Sequence, residues 1–326
     1  MRRLQTRSRT ASFILSFALG LILCACADKD LKFRKTSTAY SKYIKGLLND
    51  RTDQIEDAVG YYRQVRELEE DVPALHFQLG FDYIRLKKFK EAANELEKVT
   101  RLTPEDDQAR YILALVYVQL NEIKKSADQY EILLQNNLEE KSLNIQLRQI
   151  LSQLYFFEKD FSRVEEHCNK ILENAPLENS VLFMLAMVAD EEGKVQKAVE
   201  GFKEILARNP DHTDAMNSLA YLYAEQNMEL DKALPLAEKA VESDPSNAAF
   251  VDTLGWVYFK CGETEKALEY LKMASQLLLD PEILNHLAEA YHKKGMEKEA
   301  KENWLKSLRL NPTQKDIKEK LKNNSK

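Results

Sequence analysis

The sequence predicts an all-α solenoid, a linear stack of short helix pairs in which each pair packs on its neighbours. Three observations carry this. Small residues recur twelve apart, as Gly46/Ala58, Gly80/Ala92, Ala114/Ser126, Ser152/Val164, Ala186/Ala198, Gly255/Ala267 and Ala288/Ala300, with Ala220/Ala233 one residue wider. A leucine and a tyrosine flank the first small position, as Leu79/Tyr83, Leu113/Tyr117, Leu151/Tyr155, Leu219/Tyr223, Leu254/Tyr258 and Leu287/Tyr291. Pro104, Pro176, Pro210, Pro245 and Pro312 each fall where a second helix must stop, because proline lacks the N–H a helix needs.

Ahead of the repeats, Arg2, Arg3, Arg7 and Arg9 precede a 13-residue apolar run from Ala11 to Leu23. That run is shorter than the roughly 20 residues a membrane-spanning helix needs. It leads into Leu23-Cys24-Ala25-Cys26, and residues 1–25 resemble a bacterial lipoprotein signal peptide. The resemblance implies cleavage before Cys26, acylation of that cysteine (palmitate among its chains), and a polar tether over 26–38. Ala27 rather than Asp after the cysteine implies an outer-membrane anchor facing the periplasm. A plain secretory signal or an anchor helix is the alternative.

Without the four arginines, 43 basic residues face 53 acidic ones, a net charge near −10. Phosphate binding needs a basic footprint, so nucleic acid is excluded as a partner. Cys168 and Cys261 lie three repeats apart, too far for an intramolecular disulfide. Cys168 reads as a core residue and Cys261 as the exposed end of a first helix.

The period sets repeats at about 39–72, 73–106, 107–140, 145–178, 179–212, 213–247, 248–281 and 282–314. Lys141 to Asn144 reads as an insertion between the third and fourth, and one extra residue sits near Glu229–Leu230. Glycine or alanine is needed where two helix backbones approach. The fourth repeat has Ser152 and Val164 there, which predicts looser packing. Residues 315–326 read as a capping helix through Ile317 and Leu321, or as a frayed tail.

Over 39–314 the chain resembles the tetratricopeptide repeat (TPR) family, on the small–aromatic–small–proline pattern just given. The resemblance implies a right-handed superhelix of about eight repeats whose first helices line a concave groove. The family's groove positions map here onto Phe77, Phe81, Ile84 and Arg85; Tyr111, Leu115 and Val118; and Gln149, Gln153, Phe156 and Phe157. They continue through Phe183, Met187, Asp190 and Glu191; Asp214, Asn217, Tyr221 and Glu225; Asp252, Trp256, Phe259 and Lys260; and Asn285, Glu289, His292 and Lys293. The partner-binding candidates are the ten apolar ones: Phe77, Phe81, Tyr111, Phe156, Phe157, Phe183, Met187, Tyr221, Trp256 and Phe259. The first half of the groove is thus predicted to be apolar and aromatic, the second mixed and partly acidic. The family's clamp for acidic peptide C-termini is not matched.

No catalytic, cofactor or metal motif is present. Nine glycines are scattered without a phosphate-loop spacing, and no His-Glu-x-x-His or Cys-x-x-Cys occurs. His286 and His292 point roughly 240° apart on a helix, so they do not converge on a metal. The other histidines read as surface or packing residues, and no carboxylate pair stands out in an apolar setting. The expected role is a membrane-anchored, non-enzymatic scaffold that takes a protein or peptide of the cell envelope in its groove, as TPR lipoproteins of pilus, secretion and outer-membrane assembly do. A subunit of an exopolysaccharide export machine is the alternative, and a second copy of the chain is compatible with either.

Overall fold

The structure, a computed structural model, describes residues 29–175 and 178–323. These residues form 17 helices and no strand. The helices run as eight pairs and one more: α1 (Lys29–Arg51) with α2 (Ile55–Arg66), α3 (Pro73–Arg85) with α4 (Phe89–Leu102), α5 (Asp107–Gln119) with α6 (Ile123–Asn136), and α7 (Lys141–Phe157) with α8 (Phe161–Leu172). The second half has α9 (Asn179–Glu191) with α10 (Val195–Arg208), α11 (Thr213–Glu225) with α12 (Leu230–Ser243), α13 (Ala248–Lys260) with α14 (Thr264–Leu277), α15 (Pro281–Lys293) with α16 (Glu297–Leu310), and finally α17 (Lys315–Asn323). The chain divides into two compact units, one up to His167 and one from Cys168. None of these helices is long and apolar enough to cross a membrane.

Each unit buries apolar residues between its pairs. In the first unit, Ala58, Tyr62, Leu79, Leu96 and Leu113 pack together. In the second, Ala198, Phe202, Leu219, Tyr223, Leu254 and Leu271 do the same. The small residues are required by contact. A Cβ on Gly80 would sit 2.8 Å from Leu96 Cγ, and one on Gly255 would sit 2.7 Å from Leu271 Cγ. Ser152 and Val164 stand at the small positions of the fourth pair. Both are buried, at 3% and 0% exposure, and the serine hydroxyl donates to the Arg148 carbonyl at 2.8 Å.

One left-handed residue joins the two helices of every pair: Asp53, Lys87, Asn121, Lys159, Gly193, Asn227, Gly262 and Gly295. It turns the chain back in the fewest residues, and glycine alone adopts it without a Cβ penalty. Gly262→Ala is therefore expected to lower stability by about 1 kcal/mol, and Lys159→Gly to leave it level or raise it. Urea midpoints of the two variants check this. The extra residue of the sixth repeat is absorbed by a second left-handed residue, Glu229.

The four inserted residues Lys141 to Asn144 form an extra first turn of α7, which begins at Lys141. One expectation shifts. The stretch read as a tether belongs to α1 from Lys29 onward. Pro104, Pro210, Pro245 and Pro312 each stand just past a second helix. At the C-terminal end, α17 brings Ile317 and Leu321 onto Ala288, Ala300 and Trp304, covering the last pair. Cys168 is buried and Cys261 exposed, and neither is joined in a disulfide. The signal peptide, Cys26 and Pro176 lie outside the described residues.

Candidate functional site

On a helix, residues four and seven or eight apart share a face. In the first unit that face of α3, α5 and α7 carries open apolar residues, with Arg85 and Gln153 exposed among them. Phe81 is 45% exposed, Leu115 44% and Phe157 67%, with Tyr111 and Val118 exposed between them. Single exposed apolar residues are ordinary, but five along three successive first helices are not, with Phe81 and Leu115 at the same register position. The row is held from beneath. Tyr111 meets Tyr130 edge-on at 5.8 Å between ring centroids, and Phe156 lies tilted on Phe161 at 5.8 Å. Phe77 is half-buried against the core.

The corresponding face of the second unit is built differently. Phe183 packs between Phe202 and His212, at 5.6 and 5.4 Å. Met187 lies 3.9 Å from the Ser218 hydroxyl. Trp256, expected to line an open surface, is buried at 7% exposure. Its ring is stacked between Phe259 at 4.8 Å and His286 at 4.0 Å, and its indole N–H donates to Glu225 at 2.6 Å. Tyr221 donates its hydroxyl to Glu282. A ring so enclosed is packing, and of the ten candidates Phe81, Tyr111 and Phe157 are the exposed ones.

Comparisons with known proteins agree with this architecture. The tetratricopeptide repeat family matches residues 77–137 and 183–248 through one of its sequence patterns and 281–314 through another. The chain carries tetratricopeptide repeats. A TPR repeat-containing protein of Pseudomonas aeruginosa is 28% identical over 132 residues, 40% of this chain and 22% of its own length. One from Methanocaldococcus jannaschii is 31% identical over 121 residues, 37% of this chain and 21% of its own length. The match thus spans about a fifth of these curated relatives. A crystal structure of a tetratricopeptide repeat protein from Parabacteroides merdae superposes with a TM-score of 0.64 at 14% identity, covering 78% of this TPR chain and 99% of that one.

Several polar groups escaped sequence reasoning. His76 is buried, with Nδ1 2.5 Å from Glu95 and Nε2 2.6 Å from the Glu70 carbonyl, and Glu95 also accepts from Arg66 at 2.5 Å. Arg110 bonds Gln129 at 3.0 Å and Arg148 meets His167 at 3.3 Å. All three pairs are nineteen residues apart and hold equivalent positions in consecutive TPR repeats, a spacing the sequence displays once one pair is known. The repeated tyrosines are clamped in the same way. Tyr117 bonds Glu97 beneath Lys125, and Tyr258 bonds Glu238 beneath Lys266.

One carboxylate pair has a buried member. Asp82 on α3 is fully buried beside Asp50 of α1, and its second oxygen has no hydrogen-bond partner. Burial, reinforced by the Asp50 charge, pushes its carboxyl up to about 7 despite Arg85. Arg85 bonds Asp50 and Asp53, the latter at 2.6 Å. Arginine is already spent there, and no group of three or more metal-binding side chains is arranged to hold an ion among the described residues.

Proposed function

We propose that this chain is a non-enzymatic TPR adaptor of the bacterial cell envelope, tethered by a lipid on Cys26, that holds an apolar segment of a partner protein. The carrying observation is the open apolar row of Phe81, Tyr111, Leu115, Val118 and Phe157 in the first unit. Leaving such a row in water is unfavourable, and covering it with a helix or strand returns roughly 25 cal/mol for each Å² of apolar surface. The N-terminal sequence supports the tether, as the positive residues, short apolar run and Cys26 would direct export and acylation.

The test places a photo-crosslinking residue at Leu115 of the full chain in cells, with Lys125 as an outward-facing control. One defined product is expected from Leu115 alone. Phe157→Ser with Tyr111→Ser should reduce it by at least about tenfold, as hot-spot residues do. Cys26→Ser should abolish palmitate labelling and membrane retention. Crosslinking from Lys125 only, or a yield indifferent to the double variant, would discard the apolar row as the binding face.

A further inference from the structure

The second helices of the last two TPR pairs show water a face unlike that of the pair before them. Counted from the small residue of each helix, Lys272, Met273, Gln276 and Leu277 of α14 take the positions of Leu305, Lys306, Arg309 and Leu310 of α16. All of these are exposed. On α12 the same positions carry Glu238, Lys239, Glu242 and Ser243. The face thus changes from acidic and polar to apolar and cationic.

The connection after α14 extends the apolar part. Leu278 and Leu279 are 52% and 62% exposed there, where the turn after α12 has Asp244, Pro245 and Ser246. The ends of α14 and α16 are held together, because the Ser307 hydroxyl donates to the Pro281 carbonyl just beyond Leu279, at 2.9 Å. With Met273, Leu277, Leu305 and Leu310 also exposed, six large apolar side chains share one edge of two successive pairs. That is a patch, not a scatter of single residues.

Its charge is one-sided. No carboxylate occurs from Tyr270 to Leu279 or from Asn303 to Lys315, although acidic residues outnumber basic ones 53 to 47 in the whole chain. Glu269 and Glu302 stand a turn earlier. Asp280 is occupied in capping α15, accepting from the Glu282 and Ile283 amides at 2.7 and 3.4 Å. Lys272 lies over the Tyr291 ring at 5.4 Å, while Lys306 and Arg309 have no ion-pair partner among the described residues.

Leucines flanked by lysine and arginine, with no acid among them, match the boundary of an anionic bilayer. Apolar side chains enter the acyl region there, and cationic heads stay with the lipid phosphates. A partner helix would seek a groove, whereas Leu278 and Leu279 project from a connection between helices. We propose that this edge of the second unit is a membrane-contact face lying on an anionic lipid surface, with Leu277, Leu278, Leu279 and Leu310 at the acyl boundary and Lys306 and Arg309 on phosphates. This contact is separate from any lipid on Cys26, and the adaptor reading does not depend on it.

The experiment uses the full chain carrying Cys26→Ser, so that no acyl chain contributes, and sediments it with vesicles of phosphatidylcholine alone or with about 30% phosphatidylglycerol. Retention on the anionic vesicles is expected, reduced by salt. Leu278→Ser with Leu279→Ser should weaken it by about tenfold, through lost apolar burial. Lys306→Gln with Arg309→Gln should weaken it by about as much. Arg208→Gln with Lys239→Gln removes the same charge from α10 and α12 and should change retention by less than about twofold. Insertion is read separately by quenching with phospholipids brominated in their acyl chains. The added indole of Leu279→Trp should be quenched and that of Glu242→Trp on α12 should not, over a constant background from the buried Trp256 and Trp304. Retention indifferent to both patch variants, or an unquenched Leu279→Trp, would assign the membrane contact to another part of the chain and overturn the proposal. Failure of the parent to bind anionic vesicles would overturn it as well, and leave the face to an acidic protein.

Discussion

Replacing Asp82 with asparagine is expected to stabilise the first unit at pH 8 by about 2–4 kcal/mol and to flatten its pH dependence between about pH 4 and pH 7. Asp82 is fully buried, and its carboxyl lies at about 7 in the folded chain against 3.8 in the open one. Each pH unit of that difference corresponds to about 1.4 kcal/mol, so about 4 kcal/mol is the upper bound. The sign follows from proton counts. Below about pH 4 the carboxyl holds its proton in both states. Between 4 and 7 the folded chain keeps a proton that the unfolded chain has lost, so rising pH favours unfolding. Above 7 the full cost is present and constant. Asparagine keeps the shape and removes the charge, at the expense of the contact with Arg85 at 3.6 Å. Both tryptophans, Trp256 and Trp304, belong to the second unit, so their fluorescence would miss the effect. Hydrogen exchange of α1 to α4 at pH 5 and pH 8 reads it directly. Equal slopes for the variant and the parent would show that Asp82 is ionised and solvated.

The contrast between fold and site shows what a repeat sequence reveals. Gly80 and Gly255 are visible as small residues because contact with Leu96 and Leu271 forbids anything larger, and that demand recurs in every pair. The helix boundaries follow from it. Exposure does not, because it depends on what the neighbouring repeats place opposite. Phe157 and Trp256 both occupy mapped groove positions. Phe157 is 67% exposed, whereas Trp256 is covered by Glu225 from one neighbouring helix and His286 from the other. Those partners are thirty-one and thirty residues away and bear no motif. The acidic half of the prediction was legible as composition, yet the buried oxygens of Asn217, Asp252 and Asn285 were not, since satisfaction is a property of three-dimensional neighbours. Asp82 hides for a related reason. Its equivalent in the next repeat is Val116, so nothing in the period marks the position as polar.

The end of the array should be held by one side chain. Trp304 on α16 is 1% exposed and joins Ala288 and Ala300 to Ile317 and Leu321 of α17. Trp304→Ala removes the largest fully buried side chain among the described residues, a change that costs about 3–5 kcal/mol when the cavity cannot close. Closure is limited here, because the alanines on either side cannot reach across and Ser307 pins α16 to the Pro281 carbonyl at 2.9 Å. In a stack whose pairs touch only their neighbours, the loss should stay local before it becomes global. Amide exchange is expected to accelerate strongly in α15, α16 and α17, moderately in α13 and α14, and little in α9 and α10. Trp304→Phe should restore most of the protection, since the indole N–H has no partner to lose. A uniform loss across the second unit would instead mean that its pairs unfold as one body, and the nearest-neighbour description would have to be given up.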